Sequence, residues 1–373
     1  PVLASFADSK LKVSGKRMID TDWYDPAKNV YTLKTAEQLY GFAQISKSTS
    51  FEGKTVKLGA DIVLNEGKAT DWATNPPENE WIPIGYQTTE VHFKGTFDGQ
   101  GHTISGIYIK GNENELYLGL FGEIYRGATV KNLKIKNSYI EGNQEYELRG
   151  CTASLAGRIV EGNVESVYSE AIVVSTSKMT GGLIGMVTDD GNSRISDCWF
   201  AGELRSTTNT GGILGGVYGN KKVMCVTMEN CLNTGKFYIS DGSSQIGGLV
   251  GVVQQLGVLD LKDSFSAGTI VKDGSVKYIG AVIGCVAKNK DVGNSIARLE
   301  RVYGIKEFGA KLVGVCDGEQ VLKDSVALYE QNLSGYSGYR FMKLNFEKDW
   351  VIEAADATPF LRSYSGNKMM NMA

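Results

Sequence analysis

His92 and His102 are the only imidazoles in 373 residues, and they stand ten apart. That spacing cannot supply the H-E-x-x-H pair of a zinc peptidase, in which two imidazoles one helical turn apart face one metal. Carboxylates are the other source of chemistry. Cleaving a glycosidic bond hydrolytically takes two of them flanking the bond. The one adjacent pair of aspartates, Asp189-Asp190, lies in a Gly/Asn/Ser-rich stretch that reads as a solvated turn. The G-H-G and R-I-K segments of a polygalacturonase-type site are absent. A calcium-dependent lyase needs clustered acidic ligands; Asp197 and Asp263 recur at equivalent positions, but Asn230 stands between them and carries no charge. Asp98-Gly99-Gln100-Gly101 lacks the G-K-[ST] end of a phosphate loop, and no G-x-S-x-G elbow is present. No catalytic residue, metal site or cofactor is expected.

Binding chemistry is better supplied. Among eighteen tyrosines, Tyr336, Tyr339 and the adjoining Arg340 form one cluster, and Tyr146 with Arg149 marks a long insertion. Tyr and Arg combine broad contact area with polar tips, which suits a sugar ring or a protein partner. These five residues are the candidate binding positions.

The elements that would carry them follow from internal repetition. Gly119-Leu-Phe-Gly122, Gly182-Leu-Ile-Gly185, Gly212-Ile-Leu-Gly215 and Gly248-Leu-Val-Gly251 share one pattern, with weaker copies ending at Gly157, Gly284 and Gly314. A second unit runs Ile195-Ser-Asp197-Cys198-Trp199-x-x-Gly202-x-Leu204, then Met228-x-Asn230-Cys231-Leu232-x-x-Gly235-x-Phe237, then Leu261-x-Asp263-Ser264-Phe265-x-x-Gly268-x-Ile270, each copy 33 residues after the last. Leu322-x-Asp324-Ser325-Val326 is a truncated fourth copy. Runs of four to six apolar or alternating residues cut by Gly, Asn or Asp leave no room for paired helices. Repeats of this period that cannot bury a face alone stack into a solenoid. The spacing therefore predicts three short strands per coil, with glycine at the corners supplying positive φ and Asn or Asp tolerating the same region. Cys198, Cys231 and Ser264 should form one interior column, beside Asp197, Asn230 and Asp263, and Gly185, Gly215 and Gly251 another. Six cysteines without a C-x-x-C are too sparse for a disulfide framework, and Cys198 and Cys231 read as buried thiols.

The ends need covers, because an open solenoid exposes unpaired edges. Thr35-x-x-Gln38 has capping-box spacing, and Leu39, Phe42 and Ala43 share an apolar face. A short helix over 35–46 is expected to close the first coil. Trp350, Val351 and Pro359-Phe-Leu361 are expected to cover the last rung, ahead of a tail from Gly366.

Four segments carry a resemblance to a known family: Tyr31 to Leu39, Phe51 to Ile62, Trp81-Ile-Pro-Ile-Gly85, and Phe93-Lys-Gly-Thr-Phe-Asp-Gly-Gln-Gly-His-Thr-Ile-Ser-Gly106. Together they resemble bacterial surface proteins with GLUG repeats, and the Gly-apolar-apolar-Gly units look like the GLUG motif itself. The likeness runs from about Tyr31 to Leu361. It implies a right-handed β-helix in a secreted or surface-attached, adhesin-like protein. Family members include modules attached to IgA-cleaving metallopeptidases, in which the solenoid is not the catalytic part.

The expected fold is thus all-β: a single-stranded right-handed parallel β-helix (β-solenoid) with an N-terminal cap that includes one short α-helix. Residues 1–110 form the cap and first coils, 111–330 the repeat coils, and 331–373 the C-terminal cap and tail. The expected function is a non-catalytic cell-surface module for adhesion or for binding glycan or protein. A polysaccharide-active lyase or hydrolase and a plain stalk are the alternatives. Charge is nearly balanced, at net −3, which leaves no field for nucleic acid. The longest charge-free stretch, Gly242 to Leu259, holds five Gly, three Gln and two Ser and is too polar to span a bilayer. The chain starts at Pro1 without a recognisable signal or anchor segment, and a monomer outside the cell is expected.

Overall fold

The computed structural model describes residues 18–85, 91–112, 115–142, 150–188, 191–207, 209–219, 223–289, 293–354 and 357–364. The chain winds as a single-stranded parallel β-helix of about six turns. A representative coil runs Asn163–Ser169, Ile172–Ser175, Met179–Gly181 and Ile184–Thr188. Each strand pairs in parallel with its equivalents one coil before and after, giving sheets of fifteen, six, six and seven strands among the described residues. In the second sheet the register runs unbroken through Tyr139, Ile172, Glu203, Lys236 and Thr269.

Four strand positions per coil replace the three read from the sequence, and the repeat glycines explain the difference. The third and fourth sheets pack backbone against backbone. A Cβ on Gly215 would lie 2.5 Å from the Gly185 carbonyl oxygen and 2.8 Å from the Thr180 amide nitrogen. On Gly251 it would lie 2.4 Å from the Gly215 carbonyl oxygen and 2.8 Å from the Thr210 amide. These glycines are therefore selected by close approach. Their φ values are not positive, contrary to the sequence expectation.

Left-handed backbone is supplied elsewhere. Asn132, Ser166, Asp197, Asn230, Asp263, Arg301 and Asp324 all have φ between 45° and 54°, and they stack coil on coil across the middle of the first sheet. Each bends its strand, so that the next side chain turns inward. Asn and Asp tolerate this region better than most residues. The inward residues that follow are Leu133, Val167, Cys198, Cys231, Ser264 and Val302, all fully buried.

The first end is closed as expected. Helix α1 (Ala36–Ile45) starts at Thr35, whose Oγ1 accepts the Gln38 amide at 3.3 Å, while Gln38 Oε1 accepts the Lys34 amide at 2.8 Å. The helix drops Phe42 onto the core, stacked on Phe97 and edge-on to Phe51 and Phe93.

The other end departs from expectation. Trp350–Val351 and Phe360–Leu361 form a two-stranded antiparallel pair that does not cover the last rung. With helix α2 (Gly335–Phe341) they belong to a segment folded back along the outside of the first sheet. There Leu333, Met342, Leu344, Trp350, Leu361 and Tyr364 bury an outer stripe of Tyr168, Leu232, Phe265 and Tyr303. Tyr364 donates its hydroxyl proton to the Asp197 carbonyl at 2.7 Å, across 167 residues of chain. The repeat explains the stripe, because the residue after each inward side chain points out of the sheet, and here it is aromatic or apolar. The tail from Gly366 lies outside the described residues.

Candidate functional site

The left-handed column was the place to look for clustered carboxylates, and the structure pairs each one off. Asn230 Nδ2 donates to Asp197 Oδ1 at 3.2 Å, and Asn132 Nδ2 donates to Asp98 Oδ1 at 3.0 Å. Arg301 grips Asp263 with two bonds of 2.5 and 2.6 Å and also reaches Glu300. Lys343 bonds Asp324 at 2.6 Å. Burial pushes the Asp197 carboxyl above its ordinary range, against the opposing pull of the Asn230 bond. Among the described residues no group of three or more His, Cys, Asp or Glu is placed to hold a metal.

The neighbouring sulfur and hydroxyl column is structural in the same sense. Cys198 Sγ lies 3.2 Å from the Ser196 carbonyl, Cys231 Sγ lies 3.5 Å from Glu229 O, and Ser264 Oγ donates to Lys262 O at 2.6 Å. Each thus engages the carbonyl two residues back, and two of those carbonyls, Glu229 and Lys262, also accept the amides of Asp197 and Asn230 from the neighbouring coil. Ser264 Oγ also accepts the Cys231 amide at 3.0 Å. Both thiols are free and fully buried, and burial pushes Cys198 up to about 12 and Cys231 well above its usual value.

The histidines have separate partners. His102 Nδ1 is 3.0 Å from Asp61 Oδ1. His92 stacks on Tyr125 and contacts Glu123, a carboxylate buried between that imidazole and the Arg158 guanidinium. Arg158 in turn lies 4.6 Å over the Tyr117 ring. Glu123 and Arg158 are direct cross-strand neighbours, so this is a sheet-face pair of carboxylate and guanidinium with an imidazole beside it.

Tyr146, Arg149 and the pair Asp189-Asp190 lie outside the described residues. Tyr336 and Tyr339 sit on α2 with Arg340, whose exposed guanidinium rests 5.6 Å from the Phe341 ring.

Two concave surfaces went unread. One is a cleft of about 480 Å³ between α1 and the strand ends, where Tyr40, Gln44 and Trp81 meet Glu78, Glu80 and Glu115. The other is a shallow trough of about 560 Å³ on the outer face of the second sheet. Its floor is the column Val174, Arg205, Tyr238 and Val271, one residue per coil in direct register. Thr176, Thr207, Ser240 and Asp273 form an exposed hydroxyl and carboxylate rim. The Tyr238 ring is flanked by Arg205 at 5.4 Å and Lys236 at 4.8 Å, and Arg205 is tied to Glu203 at 2.8 Å. The signal for this column was available one step past the repeat, since Arg205, Tyr238 and Val271 directly follow the aligned Leu204, Phe237 and Ile270.

No family model matches the chain. Among curated proteins, Halomucin from Haloquadratum walsbyi is 30% identical over 156 residues, which is 42% of this chain and 2% of Halomucin. Among solved structures, a protein from Bacteroides ovatus described as a candidate immunoglobulin A1 protease superposes with a TM-score of 0.55 at 17% identity, covering 89% of this chain and 92% of that one. An IgA1 protease structure gives a TM-score of 0.48 at 19% identity over 78% of this chain and 20% of its own. At these identities the likeness is one of fold: the chain is an all-β parallel β-helix of the kind seen in the Bacteroides ovatus structure.

Proposed function

We propose that this chain is a non-catalytic extracellular module, as the resemblance to surface proteins with GLUG repeats implies, and that it binds glycan along the outer face of its second sheet. The observation that carries the reading is the trough floored by Val174, Arg205, Tyr238 and Val271. Apolar and aromatic floor, cationic flanks and hydroxyl rim are the groups that a polyhydroxylated chain meets favourably on its faces and edges. The backbone under Val174, Arg205 and Tyr238 is hydrogen-bonded to a strand on each side, with Val271 on the edge strand, so little ordering cost remains to be met on binding. Likeness to Halomucin, a mucin by name, supports an extracellular setting. No helix among the described residues is long and apolar enough to cross a membrane.

A glycan array run beside turnover assays on the same polysaccharides tests the reading. Retention without released oligosaccharide is expected, with Tyr238→Ala and Arg205→Ala each weakening retention about tenfold or more. Release of oligosaccharide would overturn it in favour of a polysaccharide-active enzyme, for which the three glutamates of the α1 cleft are the first place to look. No retention on any glycan would leave the stalk reading.

A further inference from the structure

The two ends of the solenoid are unlike. The first is plugged by α1. At the other end, Glu319–Lys323 pairs with Ile296–Ile305 on one side and with no strand on the other among the described residues. All five of its residues are exposed. Leu322 continues the inward column of Leu299, which is 1% exposed, yet Leu322 itself is 47% exposed. Val321 and Val326 are exposed beside it. A core column therefore stops with nothing laid over it among the described residues. The described residues that follow do not supply the cover, because 329–354 and 357–364 turn aside along the first sheet.

We propose that the occupant of this open rung is the same rung of a second copy, giving a tail-to-tail dimer. The argument is charge complementarity in a self-paired register. The edge reads Glu319-Gln320-Val321-Leu322-Lys323. Antiparallel pairing about Val321 sets Glu319 of each copy opposite Lys323 of the other, and opposite charges directly across a ladder are favourable. Parallel pairing would set like residue on like. The local two-fold axis stands perpendicular to the sheet, so inward residues stay inward and Leu322 gains a covering layer from Gln320 and the rung beneath it. Such an interface is isologous and closes at two copies, as most soluble homo-oligomers do. Head-to-tail stacking into a filament is blocked because α1 occupies the other end. Lys323 already bonds Glu300 of its own chain at 2.7 Å, and its ammonium retains donors for a second carboxylate. The dimer is independent of the glycan reading, since the trough lies on a lateral face.

Sedimentation velocity of the full chain across a concentration series tests it. A reversible monomer–dimer equilibrium is expected. Glu319→Lys or Lys323→Glu alone should weaken dimerisation about tenfold, and the double exchange Glu319→Lys with Lys323→Glu should restore it. Gln320→Pro should abolish it: the Glu319 amide donates inward to Ser295 O, so by alternation along the strand the Gln320 amide faces the open edge, and proline removes that donor. Melting temperatures of the charge variants near that of the parent keep a folding defect apart from a pairing defect. A chain that stays monomeric at every concentration overturns the proposal. So does a dimer indifferent to the charge exchange, which would be formed by another surface.

Discussion

At the residue scale the decisive positions are those with left-handed backbone. Asp197 carries a charge where Asn132 and Asn230 do the same conformational task without one. Its carboxyl is raised in the folded state, first by desolvation. The native protein thus holds that proton to higher pH than the unfolded chain does, so this group's contribution to stability is fullest below the ordinary carboxylate range and is lost as pH rises through the raised value. Asp197→Asn keeps an acceptor for Asn230 and removes the buried charge. It is expected to raise the melting temperature at pH 7, with the gain shrinking as pH falls toward 4. A thermal-unfolding series of both proteins checks this, and a loss of stability at neutral pH would contradict it. The column itself was legible in the sequence, since Asp197, Asn230 and Asp263 recur at one spacing. Its pairing was not, because Arg301 enters the row at a position where the repeat has degenerated.

Elements carry the next level of explanation. The repeat glycines announced corners, and corners were expected to need positive φ. In the structure they mark where one sheet's backbone rests on another's, a tertiary contact that no local pattern encodes. The two causes respond differently to substitution. Gly127 has φ +83° and open space where a side chain would begin, whereas Gly215 faces backbone atoms at 2.5 and 2.8 Å. Gly127→Asn is therefore expected to be nearly silent, because Asn accepts that φ. Gly215→Ala is expected to cost about 1–3 kcal/mol, as overpacking against unyielding atoms does. Denaturant unfolding of both variants decides, and equal effects would return the glycines to a conformational role. Helix α1 was readable in advance because its capping residues and apolar face are local. The trough was not, since it is made of single residues from successive coils.

Across the whole molecule the C-terminal segment is the feature that sequence reading placed wrongly. Trp350, Pro359 and Phe360 signalled a cover, and burial of an end was the obvious use for one. The outer stripe from Tyr168 to Tyr303 offered an apolar surface of its own, and the segment went there. Trp350 is fully buried in that contact. Trp350→Ala is expected to destabilise by about 3–5 kcal/mol, as removal of a large buried aromatic does. The loss should be seen in the melting temperature, together with new binding of a dye that reports exposed apolar surface. An unchanged melting temperature would show that the strap contributes nothing. The bond from Tyr364 to the Asp197 carbonyl also has a temporal meaning. Ribosomes deliver the coils long before the strap that clasps them, so the aromatic ridge stays bare through most of biosynthesis. A nascent chain halted short of residue 329 should therefore be sticky and chaperone-bound, and only synthesis of the strap through Tyr364 should release it.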